Sequence, residues 1–303
     1  MDAPERSTRR PLDAAALSRT LRRLHAAPGA PWLHGEVAKR MAERLSIVKL
    51  QPAQVIDWDS FLGGSLPLLR EAYPKAGLLA VENDESRRAA TAAGLALPWW
   101  SPRRWAGAAI DTCLAADIQS PRGQLLWSNM GLHGALDPQA VMRQWHRALA
   151  VDGFLMFSTL GPGTLEDLQR LFSAACWPSP FAPFVDMHDL GDMLVQAGFA
   201  DPVMDQEVIT LTWATPEALL AELRTLGANL AVNRFAGLRT PRWREALHDR
   251  LQAMADPSGR IALRFEVVYG HAFRPVPRPK VTAETAVPLA DLRAMVRAPR
   301  ASG

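Results

Sequence analysis

Short apolar segments alternate with amphipathic segments through the middle of the chain. Residues 54–58, 77–82, 124–129 and 154–160 are apolar runs of strand length. The segments between them repeat apolar residues at helical spacing, which predicts helices over 32–50, 62–73, 84–93 and 137–149. Strands that alternate with helices are typical of an open α/β sheet whose strands run parallel. Between 95 and 118 the pattern is weaker, and we expect a strand near 95–100 and an alanine-rich helix over 105–116.

The pattern changes after residue 160. Helices are predicted over 164–175 and 187–197, and residues 205–213 and 261–273 have strand character. Two further helices, about 216–230 and 240–254, lie between these last strands. The sequence therefore predicts a mostly parallel seven-stranded sheet with an antiparallel edge hairpin and a helical insertion at about 216–254.

The basic residues are concentrated at the two ends of the chain. Residues 1–28 carry six Arg against three acids, and residues 274–303 carry six Lys and Arg against two acids. The central 29–273 is left with 22 basic and 26 acidic residues, although the whole chain has a net charge of +3. We therefore predict a flexible basic arm over 1–28, one domain over 29–273 and a Pro-rich basic tail over 274–303. Because the domain is acidic, nucleic-acid binding is not expected.

Composition restricts the class of protein further. The chain is 48% hydrophobic and 21% charged, which is typical of a folded globular protein. Cys113 and Cys176 are 63 positions apart with no CxxC or Cys/His cluster, so no metal site is predicted. There is no apolar run long enough to span a membrane and no signal-peptide core, so we expect a cytoplasmic protein.

Three predicted strands end in polar residues, at the edge where open α/β sheets bind ligands. These are the loop from Asp57 to Gly64, the pair Glu82–Asn83 and the pair Ser128–Asn129. A carboxylate such as Glu82 can accept hydrogen bonds from both hydroxyls of a ribose, and no basic residue stands beside it for a 2′-phosphate. The pattern favours a cofactor that contains a nucleoside, although the same residues could simply cap helices.

The loop after the first strand, DWDSFLGGS, contains only Gly63 and Gly64. It lacks both the G-x-G-x-x-G spacing of dinucleotide sites and the lysine of a P-loop, so it is not suited to a phosphate group. A cofactor with a nucleoside and an amino-acid arm but no phosphate needs less exposed backbone. S-adenosylmethionine is a cofactor of this kind.

Longer motifs support the same class. They are WLHGEVAKRMAERL, VIDW followed by GG, LLAVE, and LLWSNMGLHGALDPQAVMRQWHRALAVDGFLMFSTLGPGTLEDL. From about 32 to 273 the chain resembles the Rossmann-like class I S-adenosylmethionine-dependent methyltransferases. Within them it is similar to the BioC family, the malonyl-carrier-protein O-methyltransferases of biotin synthesis. It also resembles a sister branch, the complex I assembly factors with protein-arginine hydroxylase activity.

The resemblance implies roles for individual residues. Asp57 matches the acid that closes the first strand, Gly63 matches the third glycine of the following loop, and Glu82 matches the ribose-binding acid. Ser128 and Asn129 match the strand end that lines the methyl-transfer pocket, and Asp117 resembles an acid that contacts the adenine amine. The implied cofactor-binding set is Asp57, Asp59, Gly63, Gly64, Glu82, Asn83, Asp117, Ser128 and Asn129.

Two positions depart from the family pattern. Asp59 and Phe61 replace the first two glycines of the loop. Phe61 could fill the space of the methionine arm, and Asp59 would place a carboxylate near the sulfonium or amino group. Either the loop has re-formed with Leu62-Gly63-Gly64 as its turn, or cofactor affinity is reduced or absent. The second alternative would leave a degenerate fold that acts as an assembly or binding module, and a third candidate is modification of a protein side chain.

The implied reaction needs no proton transfer, because a malonyl carboxylate is already ionised at neutral pH. We therefore predict no acid or base catalyst, although His133 follows the fourth strand closely. An arginine should hold the acyl carboxylate, and the candidates are Arg103, Arg104 and Arg143. Carrier proteins are acidic, so we expect the basic segment 224–250 to be the docking surface, with Arg239, Arg242 and Arg244 prominent. A monomer is the working expectation, although the sequence does not determine the oligomeric state.

Overall fold

A seven-stranded sheet forms the centre of the structure, which is a computed structural model describing residues 9–45, 48–49, 51–96 and 110–277. Its strand order is β3-β2-β1-β4-β5-β7-β6. The strands are β1 (Gln54–Trp58), β2 (Gly77–Glu82), β3 (Ile110–Leu114), β4 (Gly123–Ser128), β5 (Leu149–Leu160), β6 (Ala200–Trp213) and β7 (Ile261–Phe273).

The strand directions confirm the predicted class. The first five strands pair in parallel, and β7 runs antiparallel to both β5 and β6. Strands β1 and β4 are neighbours in the middle of the sheet, with the chain crossing over to β2 on one side and to β5 on the other. This is a topological switch point, where open α/β sheets bind ligands at the carboxyl ends of their strands.

Helices cover both faces of the sheet. The described α-helices are α1 (Ala14–His25), α2 (Trp32–Leu45), α3 (Ser60–Gly63), α4 (Leu66–Ala72), α5 (Glu85–Leu95), α6 (Pro138–Ala148), α7 (Glu166–Ala174), α8 (Met187–Gln196), α9 (Pro216–Leu226) and α10 (Pro241–Gln252). The predicted helical insertion is confirmed, since α9 and α10 lie between β6 and β7. Within the described ranges, none of the helices is long and apolar enough to cross a membrane.

Local sequence explains where several helices begin. The Asp137 side chain accepts a hydrogen bond of 2.9 Å from the amide of Ala140, and Pro138 occupies the first helical turn. Thr215 and Thr240 cap α9 and α10 in the same way, each ahead of a proline. Such caps satisfy amide groups that have no partner inside the helix.

The prediction of a helix over 105–116 is wrong for the residues that the structure describes. Residues 110–114 are strand β3, which pairs in parallel with β2 from Ile110 opposite Leu78 to Leu114 opposite Glu82. Ile110 and Thr112 are β-branched, and pairing with a buried neighbouring strand outweighs the helix propensity of the nearby alanines. A strand is also expected near 95–100, but Leu95 is the last residue of helix α5. Residues 97–109 lie outside the described residues.

The prediction of a flexible arm is wrong for residues 9–28. Helix α1 is ordered, with Leu12, Ala16 and Leu17 buried. Leu12 forms an antiparallel bridge with Ala231, and the amide of the next residue, Asp13, donates to the carbonyl of Leu230. The arm folds because α1 is amphipathic and its apolar side packs on the domain, while its basic residues point outwards. The tail from residue 278 onwards lies outside the described residues.

One buried side chain joins the central strands to the segments around them. The Nδ2 group of Asn129, just after β4, donates to the carbonyls of His34 at 2.8 Å and Gly63 at 2.7 Å. Its Oδ1 atom accepts from the hydroxyl of Ser158 at 2.7 Å. Asn129 is fully buried, so these bonds are shielded from water. Helix α2, the β1–α3 loop and strand β5 are therefore fixed relative to the end of β4.

We expect Asn129→Ala to lower the free energy of unfolding by about 3 kcal/mol, because it leaves buried polar partners unpaired. The measurement is urea unfolding followed by tryptophan fluorescence. Asn233→Ala is the matched control, because Asn233 is exposed, and its effect should stay within about 0.5 kcal/mol. A loss below about 1 kcal/mol for Asn129→Ala would contradict the role assigned to this amide.

Candidate functional site

Three carboxylates lie together at the carboxyl ends of β1 and β2. Asp57 is fully buried; its Oδ2 accepts from the Ser60 hydroxyl at 2.7 Å, and its Oδ1 has no hydrogen-bond partner among the described residues. Asp59 accepts a hydrogen bond from the side-chain amide of Asn83. Glu82 is 2% exposed. The end of the sheet is thus acidic where a cofactor of this fold would lie.

Glu82 is held by two donors that leave part of its carboxylate available. The amide of Phe61 donates at 3.0 Å and the hydroxyl of Thr91 at 2.8 Å, and both bonds end on Oε1. The other oxygen, Oε2, can therefore still accept a hydrogen bond from a ligand. A carboxylate fixed in this way is positioned before the ligand binds.

Burial raises the pKa of these acids. The pKa of Asp57 and the pKa of Asp59 both rise to about 7, chiefly because burial penalises the charged form, and the nearby charge of Glu82 adds to the effect. The pKa of Glu82 is also raised by burial, although hydrogen bonds from Thr91 and Phe61 oppose the increase. A cation bound here would stabilise the ionised carboxylates.

The loop after β1 forms a defined turn without the missing glycines. Asp59 adopts a left-handed conformation with φ 55°, which aspartate tolerates better than most residues. The short helix α3 follows, and Gly64 ends it at φ 64°. A Cβ atom on Gly64 would lie 2.9 Å from the Cβ of Ala30, so both conformation and space favour glycine there.

Phe61 does not line the cavity at this site. The ring instead packs between His25, with ring centroids 6.1 Å apart, and the guanidinium carbon of Arg87, 3.7 Å from the ring centroid. Arg87 also donates to the carbonyl of His25 at 3.0 Å. Phe61 thus links the end of α1 to helix α5.

A cavity of about 710 Å³ opens at the switch point. Asp59 and Asn83 line it on the cofactor side, and α1 and α9 enclose it on the other side. Its wall is mainly apolar and includes Leu17, Leu24, Met130, Leu132, Leu168 and Leu223. A volume of this size is ordinary for a small-molecule or cofactor site.

Two histidines in the cavity wall are neutral at physiological pH. Burial lowers the pKa of His133 to about 3, and the nearby His34 and Arg10 lower it further. Burial also lowers the pKa of His34 to about 4, and its Nδ1 atom lies 2.8 Å from the carbonyl oxygen of Leu62. A ring with so low a pKa is a poor base at pH 7 and is not present as the imidazolium that would act as a general acid.

Comparison with known proteins identifies the family. No model of a protein family matches the chain. The malonyl-(acyl-carrier protein) O-methyltransferase of Laribacter hongkongensis is 39% identical over 257 residues, which cover 82% of this chain and 84% of that protein. The enzyme of the same name from Gallionella capsiferriformans is 38% identical over 260 residues, covering 81% and 85%.

The chain belongs to the malonyl-(acyl-carrier protein) O-methyltransferase family. Among solved structures, the YcgJ protein of Bacillus subtilis aligns with a TM-score of 0.52, covering 80% of this chain and 100% of that one at 9% identity. This likeness supports the Rossmann-like fold.

The structure places several family positions away from the cavity. Neither Ser128 nor Asn129 lines the cavity. The side-chain amide of Asn129 makes its hydrogen bonds to other parts of the protein, so Asn129 is a positioning residue. Asp117 ends a short 3-10 turn after β3 and is exposed. Gly63 lies against the backbone of Asn129, where a Cβ would still have ordinary contact distance at 3.5 Å.

Of the three arginines predicted to bind the acyl carboxylate, the structure describes only Arg143. Arg143 lies on an exposed part of α6, 4.0 Å from the carboxylate of Asp137, and does not line the cavity. Its exposed position outside the cavity wall does not support the prediction that it holds the acyl carboxylate. Arg103 and Arg104 lie outside the described residues.

Sequence reasoning missed the part of the site that the N-terminal segment supplies. Arg10 and the apolar side of α1 line the cavity, although residues 1–28 looked like a solvated arm. The available signal was the spacing of Leu17, Leu21 and Leu24 after the helix cap at Asp13. Charge composition concealed it, because the same helix carries several arginines.

We expect Asp59→Asn to change how stability depends on pH. Because the folded-state pKa of Asp59 is raised to about 7, ionisation of this carboxyl opposes folding, and the cost grows as pH rises from about 4 to about 7. Asn cannot ionise, yet it can still accept from Asn83. The variant should therefore be more stable than the parent protein, and its advantage should be larger at pH 8 than at pH 5, as measured by urea unfolding without ligand. An advantage that is the same at pH 5 and at pH 8 would contradict a raised pKa for Asp59.

Proposed function

We propose that this chain transfers the methyl group of S-adenosylmethionine to the free carboxylate of a malonyl group carried by acyl-carrier protein, a step of biotin synthesis. Family membership supports the reaction. The structural observation that carries the proposal is the cavity at the switch point, which the Asp59 carboxylate lines on one side and apolar side chains line on the other. A cationic cofactor and an acyl substrate fit these two sides respectively. The free thiols of Cys113 and Cys176 agree with a cytoplasmic location.

The residues present fit S-adenosylmethionine. Glu82 would accept from the ribose hydroxyls through its Oε2 atom, since both internal donors end on Oε1. Asp59 would bind the positive groups of the methionine arm, because its carboxylate lines the cavity and no described cation forms an ion pair with it. The orphaned Oδ1 atom of Asp57 adds negative charge behind it. Bound cofactor supplies the electrophilic methyl group.

The chain's own contribution to the reaction is binding, orientation and exclusion of water. The acyl carboxylate is the nucleophile and is already ionised, so no side chain has to move a proton. His34 and His133 are neutral, and Met130 and Leu132 present apolar surface to the cavity. Holding the two reactants together in a site with little water accounts for catalysis without an acid or base.

A second candidate is a fold retained as an assembly or binding module. The observation that favours it is the replacement of two loop glycines by Asp59 and Phe61, with Phe61 packed against Arg87 and His25 beside Glu82. Modification of a protein side chain is a third candidate and would use the same cofactor. Cofactor binding separates the module from the two enzyme candidates, and rescue of a biotin auxotroph separates the carrier substrate from a protein side chain.

We expect calorimetry to show binding of S-adenosylmethionine and weaker binding of S-adenosylhomocysteine, whose sulfur is uncharged. Asp59→Ala should lose about tenfold in affinity for the first ligand and less for the second, because it removes a charge-assisted contact. Asp111→Ala is the matched control, since Asp111 is an exposed acid on β3. No binding of either ligand at millimolar concentration would defeat the enzyme candidates and favour the module.

The carrier protein needs a basic surface, and the structure refines which arginines could supply it. Arg242 and Arg244 are exposed at the start of α10, and Arg239 stacks over the rings of Phe235 and Trp243 at 3.9 and 4.3 Å. Arg234 is neutralised by Asp13 at 2.6 Å, so we leave it out of the docking surface.

Exposed apolar residues lie on the same segment. Leu238 is 97% exposed, next to Arg239 in the chain, and Val232 and Phe235 are also exposed. A basic surface with apolar residues at its centre suits an acidic helical partner. The segment begins beside the cavity, since Gly227 and Leu230 line it. A carrier protein docked there would have its acyl group near the opening.

We expect the double variant Arg242→Glu/Arg244→Glu to raise KM for the malonyl-carrier substrate about tenfold and to weaken the dependence of KM on salt, because the charges steer an acidic partner. The measurement is initial rates from 50 to 300 mM salt, chosen to span about two- to threefold in Debye length. The control is Lys75→Glu/Arg122→Glu, which makes the same change in charge at exposed positions just before β2 and β4. These positions lie at the amino ends of the strands, so the control should have little effect on KM. Equal effects of the two double variants would remove the docking assignment.

A further inference from the structure

Arg10 is a buried arginine in the cavity wall. It is 8% exposed, and its backbone amide donates to the carbonyl of Leu136 at 2.8 Å. Its guanidinium donates to the backbone carbonyl of Pro183 at 2.7 Å and to that of His133. These contacts join the N-terminal segment to two loops that are more than a hundred residues away in the chain. The side chain is therefore held in a fixed place before any ligand binds.

The Arg10 guanidinium has no negatively charged partner among the described residues. Burial lowers the pKa of Arg10 to about 10. The group is still protonated at neutral pH. A buried charge without a counter-ion is costly, so its retention at a ligand cavity points to an anionic ligand. Two of its five N–H donors are used by the carbonyls, which leaves donors for that ligand.

Other arginines fit this role less well. Arg224 also lines the cavity, but it is exposed at the end of α9, where solvent weakens a charge pair. Arg143 is outside the cavity wall and lies beside Asp137. Among the described residues, Arg10 combines burial, a fixed position and access to the cavity.

We propose that Arg10 binds the carboxylate of the acyl group that is methylated, and that it makes the enzyme distinguish the free acid from its methyl ester. This inference rests on the proposed function and names a specificity residue for it. A planar guanidinium can form charge-assisted hydrogen bonds with a carboxylate, whereas a methyl ester offers it no charge.

The balance of the reaction adds to this argument. A carboxylate oxygen forms a bond to the methyl carbon while the carbon–sulfur bond breaks and its electron pair stays on sulfur. One negative and one positive charge disappear together, leaving an ester and a thioether. Arg10 then loses its anionic partner, and Asp59, on the cofactor side, loses the sulfonium. Both products should therefore be held less tightly than the reactants.

The test compares binding of malonyl-carrier protein and acetyl-carrier protein, which differ in the carboxylate. Arg10→Gln should weaken malonyl binding about 10- to 100-fold, as expected for loss of a charge-assisted pair, and leave acetyl binding nearly unchanged. Arg9→Gln is the matched control, because Arg9 is the exposed neighbour of Arg10 and the same change there should alter neither affinity. Arg10→Lys should keep a smaller preference for malonyl, because it retains the charge without the planar fork.

A purely structural role for Arg10 gives a different result. Loss of the contacts to His133 and Pro183 would weaken both carrier ligands equally and lower the melting temperature, and that outcome would overturn the proposal. If Arg10→Gln does not fold, the test uses Arg10→Lys alone. A preference of Arg10→Lys for malonyl-carrier over acetyl-carrier protein that equals the parent's would overturn the proposal. The binding comparison does not require turnover. A protein that binds malonyl through Arg10 but transfers no methyl group would contradict the proposed function and support this inference.

Discussion

The side-chain amide of Asn129 holds together the segments from which the site is built. It lies at the end of β4, in the middle of the sheet, and bonds at once to α2, to the loop after β1 and to β5. Met130, the next residue, adopts φ 55°. A residue other than glycine keeps such a left-handed conformation only where its surroundings hold it. Here the hydrogen bonds of the buried Asn129 amide hold the adjacent backbone in place. Because the loop that carries Asp59 ends against Asn129, the position of the acidic side of the cavity depends on this one group.

The ionisable groups at the site are distributed unevenly, and burial shifts their pKa values. Carboxylates whose pKa values are raised lie on the cofactor side. Arg10, which has no counter-ion among the described residues, and two neutral histidines line the cavity. An isolated buried charge is unfavourable for folding, so this arrangement reduces the stability of the ligand-free protein. It suits a reaction in which a cation and an anion bind together and both charges are removed by one transfer.

The N-terminal segment covers part of the cavity at the carboxyl ends of the strands. Its contacts are few but spread out: Leu12 pairs with Ala231, Asp13 with Arg234, and Arg23 donates to the carbonyl of Gly227 at 2.6 Å. All three partners belong to the connection between α9 and α10, which also carries the exposed basic and apolar residues. The carrier docking proposed for that connection would therefore use the same stretch of chain that holds α1 over the cavity.

Sequence periodicity alone determined most of the sheet and its helices, because these elements depend on local spacing and caps. Strands 54–58 and 77–82 and the helix start at Asp137 are where the pattern put them. The motifs also identified the family. Tertiary structure decided the rest: β3 exists because it pairs with a buried strand, against a local preference for helix. The position of Arg10 in the cavity wall depends on carbonyls up to 173 residues away. Contacts at that distance leave no periodic pattern in the sequence, so only the folded chain shows that a basic arm contributes to the site.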